Sequence, residues 1–139
     1  MPPIPPVTKA LLLICTAVFC VTLFIPWLSV LFALWPLGSG RFWPWQPVSY
    51  AFLHGSFNHL FFNMFALYMF GGEIERLLGT RRYITYYLVC IVGAAVAQLV
   101  VLSKMSLPPV PTVGASGGVF GLLLAFGMAF PHRRLMLLF

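Results

Sequence analysis

The sequence predicts an all-α protein, a polytopic bundle of helices embedded in a membrane. Of its 139 residues, 61% are hydrophobic and only 7% are charged, whereas a soluble domain carries about 25% charged residues. The apolar residues also fall into four runs, separated by polar or proline-rich links, and about 20 apolar residues suffice to cross a bilayer. We therefore expect residues 1–139 to form one membrane domain.

The four runs predict four membrane-spanning helices. The first run, residues 10–34, carries no charge, and Pro26 within it predicts a kink. It is longer than the core of a secretory signal, which spans about 7–15 residues, so we expect a retained anchor. The other predicted spans are residues 57–72, 83–103 and 114–130, of which the first and last are short.

Two links have compositions that predict irregular backbone. Residues 36–47, PLGSGRFWPWQP, are rich in proline, glycine and tryptophan. Tryptophan is favoured at the boundary between membrane and water, so this link is expected to be partly embedded. Residues 107–111, LPPVP, should break the helix before the fourth span, because proline lacks a backbone donor and has a fixed φ.

The charge pattern predicts an orientation. The net charge is +6, and the basic residues occur singly or in pairs between apolar runs, unlike the basic stripe of a nucleic-acid-binding protein. Basic residues concentrate in cytoplasmic loops. A cytoplasmic N-terminus, in a bacterial inner membrane, places six basic residues inside and leaves only Arg41 and Lys104 outside; the six are Lys9, Arg76, Arg81, Arg82, Arg133 and Arg134.

The cysteines indicate neither a metal site nor a cofactor. Cys15, Cys20 and Cys90 all lie within apolar runs, and none has the spacing of metal ligands. We interpret them as packed thiols, since free cysteine behaves as a small hydrophobic residue. We expect no metal and no other cofactor.

Polar residues inside the spans are candidates for function, because they are costly in a membrane. His59 and Asn63 are four residues apart and share one helix face, while Ser116 stands near the start of the fourth span. The topology places all three on the same side of the membrane. Histidine and asparagine side chains could donate to a developing oxyanion, or they could simply hydrogen-bond between helices.

The remaining titratable residues near the second span have simpler interpretations. His54 lies at the entrance of this span, where it is either an interface residue or part of the chemistry. Glu73 and Glu75 lie at the other end. Glu75 is about 18 Å from Asn63 along a helix that rises about 1.5 Å per residue. A hydrogen bond or salt bridge is its expected role.

Taken in order, these motifs resemble the rhomboid family of intramembrane serine proteases. The resemblance rests on His54, His59 and Asn63, then on GGEIERLLG at residues 71–79, and then on GASG at residues 114–117. It covers most of the chain, from about residue 43 to residue 131. It implies a nucleophile at Ser116 and an oxyanion hole made by the side chains of His59 and Asn63 and by the backbone N–H groups of Ser116 and Ala115.

The resemblance also assigns roles around this site. It implies that His54 lies near the site without being the general base, and that Glu75 is structural. Gly114 and Gly117 leave room around Ser116. Phe120, four residues further on, shares the face of Ser116, in a position where many relatives have tyrosine. Trp45 and Gln46 stand where many members have Trp-Arg, which we interpret as a minor variation.

The family's activity defines the expected function and its alternatives. Rhomboid proteases cleave single-pass membrane proteins without a metal or a nucleotide, so we expect membrane lipids and transmembrane substrates as partners, and no nucleic acid. The alternative is an inactive rhomboid-like protein that binds transmembrane clients. A packing or transport protein, with Gly117 and Gly121 as a helix contact, explains the glycines but not the His-Asn-Ser arrangement.

The general base is the component that the sequence does not supply. In the family it is a histidine on the last of six core spans. His132 lies about 24 Å beyond Ser116 along a helix, and a base must lie within about 2.6–3.2 Å, so His132 is excluded. His59 is the only other candidate we retain. We therefore expect four of the six core spans in this chain, a truncated C-terminus and no activity as written.

Overall fold

The computed structural model describes residues 3–133, and within them the protein is helical with no β-strand. Two of these helices, Pro6–Phe24 and Thr80–Ser103, are long and apolar enough to cross a membrane, and Ser116–Ala129 is a shorter apolar helix. The α-helices are α1 (Pro6–Phe24), α2 (Trp27–Phe32), α3 (Gln46–Ser49), α4 (Phe57–Ala66), α5 (Gly72–Leu78), α6 (Thr80–Ser103) and α7 (Ser116–Ala129).

The first predicted span is wrong in its bounds. Helix α1 begins at Pro6 and ends at Phe24, and the short helix α2 follows after a break, so residues 10–34 are not one helix. Pro26 causes the break, because it lacks an N–H and disfavours a helical residue before it. The preceding Ile25 accordingly has φ −128° and ψ 75°.

The second predicted span extends beyond the expected residue 72. Helix α4 continues through a π-helical turn, Leu67–Gly71, into α5 without a break. The helix ends at Leu78, because Gly79 adopts φ +83°, a left-handed conformation that favours glycine. This continuous element carries His59 and Asn63 towards one end of the bundle and Glu75 towards the other.

Helices α6 and α7 pack closely along a line of glycines. A Cβ atom at Gly117 would stand 2.5 Å from the Cβ of Ala94, and one at Gly118 would meet the ring of Tyr87. A Cβ at Gly121 would meet the side chain of Cys90. The absence of side chains at these positions allows α7 to approach α6 closely, and this approach fixes the start of α7, where Ser116 lies.

The link between α2 and α4 folds into short helical turns instead of a simple loop. Turns at Leu37–Ser39 and Tyr50–Phe52 flank α3. Gln46 organises this link from a fully buried position: its Oε1 accepts the Trp35 N–H at 3.2 Å, and its Nε2 donates to the carbonyl oxygens of Leu31 and Arg41 at 3.1 and 2.9 Å. Gln46 thus joins three separate main-chain groups of the link through its side chain.

The link also contacts the segment that precedes α7. Leu34 and Thr112 form an isolated antiparallel bridge, in which each backbone N–H donates to the other residue's carbonyl. Gly114 N–H donates to the Tyr50 carbonyl at 2.9 Å. The link therefore holds the segment before Ser116 at two residues, Thr112 and Gly114.

The described charges separate to the two ends of the bundle. The carboxylate of Glu75 accepts backbone N–H groups of Val7 and Thr8 at the start of α1, and Arg133 pairs with Glu73. Lys9, Arg76, Arg81 and Arg82 belong to the same end, whereas Arg41 and Lys104 belong to the other. Arg134, which the sequence analysis counted with the first group, lies outside the described residues.

Candidate active site

Ser116 is the first residue of α7 and follows a backbone conformation that requires glycine. Gly114 has φ +122°, a region that residues with a Cβ rarely adopt. Its N–H is held by the Tyr50 carbonyl, and α7 begins two residues later. Ser116 is therefore half-buried at one end of the helix bundle, and its hydroxyl lies beside α4.

Asn63 is the hydrogen-bond partner of this serine. Ser116 Oγ lies 3.3 Å from Asn63 Oδ1, to which it donates. The Asn63 Nδ2 donates to the carbonyl oxygen of His59, one turn earlier in α4, at 2.8 Å. The buried amide of Asn63 therefore points its oxygen at Ser116 and its nitrogen at the α4 backbone.

The surroundings of His59 define which of its ring nitrogens carries the proton. His59 lies in the first turn of α4, where Ser56 caps the helix by accepting the His59 N–H at 3.1 Å. Its Nδ1 accepts the Gly55 N–H at 3.3 Å. In a neutral imidazole, one nitrogen accepts and the other carries the proton, so Nε2 is the donor.

The imidazole ring of His59 packs directly against Gly114, close to Ser116. A Cβ atom built at Gly114 would stand 2.7 Å from His59 Nε2 and 3.6 Å from Ser116 Oγ. A side chain at this position would therefore overlap the His59 ring. The structure thus brings together Ser116, Asn63, His59 and Gly114, all of which the sequence singled out.

His54 also reaches this site, through the backbone. It lies in the link before α4, outside the spanning helices, and its Nε2 accepts the Ala115 N–H at 3.3 Å. Burial and, second, the neighbouring His59 lower the pKa of His54 to about 4, so the ring is neutral at pH 7. The family resemblance implied that the Ala115 N–H is an oxyanion donor, but in this structure it already donates to His54.

Of the other expected residues, Gly117 and Phe120 lie on α7 with Ser116, whereas His132 does not. Phe120 shares its side of α7 but is 68% exposed, and Gly117 faces α6. His132 belongs to the opposite end of the bundle, where the next residue, Arg133, pairs with Glu73 and stacks over Phe130.

Tyr50 is a residue of the site that sequence reasoning missed. Its carbonyl accepts the Gly114 N–H, and its hydroxyl donates to the carbonyl of Ile91 in α6 at 2.5 Å. The side chain is buried, with 4% exposure. Tyr50 therefore ties the Gly114 turn to α6, and no motif or spacing in the sequence signals this contact.

The fold and these contacts define a helical integral membrane protein with a serine at the start of one helix and a His-Asn pair on the facing helix. Residues 41–139 match the Rhomboid domain family, which is more than half of the chain. The chain belongs to the rhomboid family, as its motifs had indicated.

Individual relatives support the same assignment. The chain is 35% identical over 88 residues to mitochondrial rhomboid protein 1 of Saccharomyces cerevisiae, covering 63% of this chain and 25% of that protein. It is 33% identical over 95 residues to the rhomboid protease GlpG of Yersinia pestis, covering 67% of this chain and 34% of GlpG. The chain thus spans about a quarter to a third of the length of these curated relatives.

Proposed function

We propose that the protein is an intramembrane serine endopeptidase in which Ser116 is the nucleophile and His59 and Asn63 stabilise the oxyanion. The observation that carries this proposal is the meeting of α4 with the start of α7: Ser116 Oγ lies 3.3 Å from Asn63 Oδ1, and His59 packs against Gly114. A relative that covers two thirds of this chain is named a protease, GlpG. The proposed substrates are transmembrane proteins.

The proposed reaction begins with attack by Ser116 Oγ on a peptide carbonyl carbon. The carbonyl oxygen becomes negative as the Oγ–C bond forms, and it would accept the Nε2–H of His59. Asn63 presents Oδ1 to Ser116, so its amide has to rotate to offer Nδ2. The peptide C–N bond then breaks, and water hydrolyses the acyl-enzyme.

The proton of Ser116 must pass through a general base to the leaving amine. His59 is poorly suited to this role, because its Nδ1 accepts the Gly55 N–H and its Nε2 carries the proton. We assign the base to a histidine outside residues 3–133, as the family resemblance implies.

The charge separation supports the proposed orientation. Five of the described basic residues lie at the end of the bundle that carries the start of α1, and two lie at the end that carries Ser116. The positive-inside rule then places the N-terminus in the cytoplasm. In a bacterial inner membrane, Ser116 would lie on the outer side.

The second candidate function is binding of transmembrane clients without cleavage. It is favoured by one observation, which is that the hydrogen-bond partner of Ser116 Oγ within residues 3–133 is an amide oxygen and not a basic nitrogen. A serine hydroxyl without a base is a poor nucleophile at neutral pH. Such a protein would have the same fold but no peptidase activity.

Cleavage of a single-pass substrate by the gene's full product, in proteoliposomes, tests the proposal. Ser116→Ala should abolish cleavage and labelling by a fluorophosphonate probe, and His59→Ala should lower the rate about 10²–10³-fold. Ser103→Ala is the matched control, since the Ser103 hydroxyl only donates to the Val100 carbonyl. Undiminished cleavage by Ser116→Ala contradicts the proposal; no cleavage and no labelling of the unaltered protein supports the client-binding alternative.

A further inference from the structure

A shallow groove lies on the surface of the helix bundle where α5 ends and α6 begins, away from Ser116. It has a volume of about 490 Å³ and is lined by Leu78, Arg81, Arg82, Thr85, Tyr86 and Val89. The two hydroxyl groups among these residues are already used: Thr85 Oγ1 donates to the Arg81 carbonyl, and Tyr86 Oη donates to the Gly121 carbonyl. The groove therefore offers hydrocarbon along its length and two guanidinium groups at one end.

These guanidinium groups lack a counter-ion from the chain itself. The sequence has only two acidic side chains. Glu73 pairs with Arg133, and Glu75 is buried against the start of α1. Arg81 and Arg82 are exposed and form no ion pair within residues 3–133. The side-chain carboxylates of this chain are thus committed elsewhere.

Their position makes this lack of an anion unfavourable. Arg81 and Arg82 stand in the first turn of α6, a helix of 24 residues. The N-terminal end of a helix carries a partial positive charge and repels cations. Of the other basic residues at this end, Arg133 has its carboxylate and Arg76 donates to the Pro3 carbonyl, while Lys9, in the first turn of α1, does not line this groove.

We propose that this groove binds an anionic phospholipid. Arg81 and Arg82 hold the phosphate, for which the planar guanidinium is well suited, and an acyl chain lies along the groove to Val89. From Arg82 to Val89 the helix rises about 10 Å. The acyl chain therefore runs from the charged end into the apolar part of the bundle. A soluble phosphate would leave this apolar surface uncovered, which favours a lipid.

Native mass spectrometry of the protein in neutral detergent measures this binding directly. Phosphatidylglycerol is titrated against the protein, with phosphatidylcholine and glycerol 3-phosphate as comparison ligands. We expect phosphatidylglycerol to bind at least ten-fold more tightly than either. The double variant Arg81→Gln and Arg82→Gln should weaken this binding about 25-fold, or about five-fold per arginine.

A second double variant separates a defined site from general positive charge. Lys9→Gln with Arg76→Gln removes the same charge from the same end of the bundle but leaves the groove intact, and it should weaken phosphatidylglycerol binding less than three-fold. Val89→Trp fills the groove without changing charge, and it should weaken phosphatidylglycerol binding about ten-fold. Circular dichroism verifies that each variant keeps its helices.

The remaining outcomes overturn the proposal. Equal weakening by the two double variants would mean that lipids respond only to the overall charge of this end. Equal binding of glycerol 3-phosphate and phosphatidylglycerol, or full binding by Val89→Trp, would mean that the groove holds no acyl chain. Unchanged binding after loss of both arginines would mean that Arg81 and Arg82 do not form an anion site.

Discussion

His54 and His59 stand edge to face with their ring centroids 5.0 Å apart, and each accepts a backbone N–H on a different ring nitrogen. His54 uses Nε2 for Ala115, and His59 uses Nδ1 for Gly55. Neutral imidazole has one acceptor and one donor nitrogen, so the two rings carry opposite tautomers. This difference leaves the proton of His59 on Nε2, the ring nitrogen that lies against Gly114.

Nitrogen-15 NMR of the protein labelled at histidine should detect both tautomers at pH 7. His54 should carry its proton on Nδ1 and His59 on Nε2, and the assignments follow from single replacements, His54→Gln and His59→Gln. His132, at the other end of the bundle, serves as the internal reference. A proton on Nδ1 of His59 would contradict the proposed donor to the oxyanion.

Replacing Gly114 by alanine should destabilise the protein and displace His59. The residue has φ +122°, and the new Cβ would stand 2.6 Å from His59 Cε1. Backbone strain of this kind costs about 1–3 kcal/mol, and relief of the steric clash requires the imidazole to move. We expect a lower free energy of unfolding in detergent micelles and a changed His59 signal in the NMR spectrum.

Gly127→Ala is the matched control for that substitution. Gly127 lies in α7, and a Cβ there would have no atom within 4 Å. Alanine favours a helix over glycine by about 1 kcal/mol, so this variant should be neutral or more stable. An equal loss of stability in the two variants would show that Gly114 has no special role.

Exchanging the residues at positions 94 and 117 should restore a contact that either single change disturbs. Gly117→Ala places a Cβ 2.5 Å from the Cβ of Ala94, and such overpacking costs about 1–3 kcal/mol. Ala94→Gly costs about 1 kcal/mol through helix propensity. The double variant should lose less stability than the sum of the two, with a coupling of at least about 0.5 kcal/mol; additive losses would mean that α6 and α7 do not meet there.

The sequence predicted which side chains meet at the site but not how they are bonded. Helical spacing was enough to put His59 and Asn63 on one face, and the order of spans brought Ser116 to the same end. The use of the Ala115 N–H by His54 depends on a ring orientation fixed by packing, which spacing does not determine. Tyr50 was missed for the same reason, since its two bonds join segments far apart in sequence.

Hydrophobicity alone also placed the first span incorrectly. Residues 10–34 form one apolar run, but a run reports composition and not backbone continuity. Pro26 ends the helix, and the buried carboxylate of Glu75 allows α1 to begin at Pro6 by accepting N–H groups of its first turn. Hydropathy reveals neither the long-range contact of Glu75 with the start of α1 nor the complete break that Pro26 causes.

Glu75→Gln should lower the free energy of unfolding by about 1–3 kcal/mol. The carboxylate is 2% exposed and accepts the N–H groups of Val7 and Thr8, at 2.9 and 2.7 Å, and the Thr8 hydroxyl. An amide has only one acceptor oxygen, so a buried donor is left unsatisfied. Denaturant titration in mixed micelles measures the change.

Glu73→Gln provides the comparison, because it removes the same charge from an exposed pair. Glu73 pairs with Arg133, and the two side chains are 33% and 39% exposed. Exposed salt bridges contribute about 0–1 kcal/mol. A loss at Glu73 that equals the loss at Glu75 would contradict the special role of the buried carboxylate.

Gln46→Ala should be the most damaging single change in the link before α4. It removes one acceptor and two donor contacts, leaving the Trp35 N–H and the carbonyl oxygens of Leu31 and Arg41 without this partner. The buried Trp35 N–H left unsatisfied costs about 1–3 kcal/mol, whereas the Leu31 carbonyl keeps the Trp45 Nε1–H; with the Arg41 contact also lost, we expect a total loss of about 2 kcal/mol or more by thermal or denaturant unfolding. Gln98→Ala is the control, since Gln98 donates only to the Thr112 hydroxyl, and its loss should stay near 1 kcal/mol. Similar losses for the two glutamines would mean that the link holds its shape without Gln46.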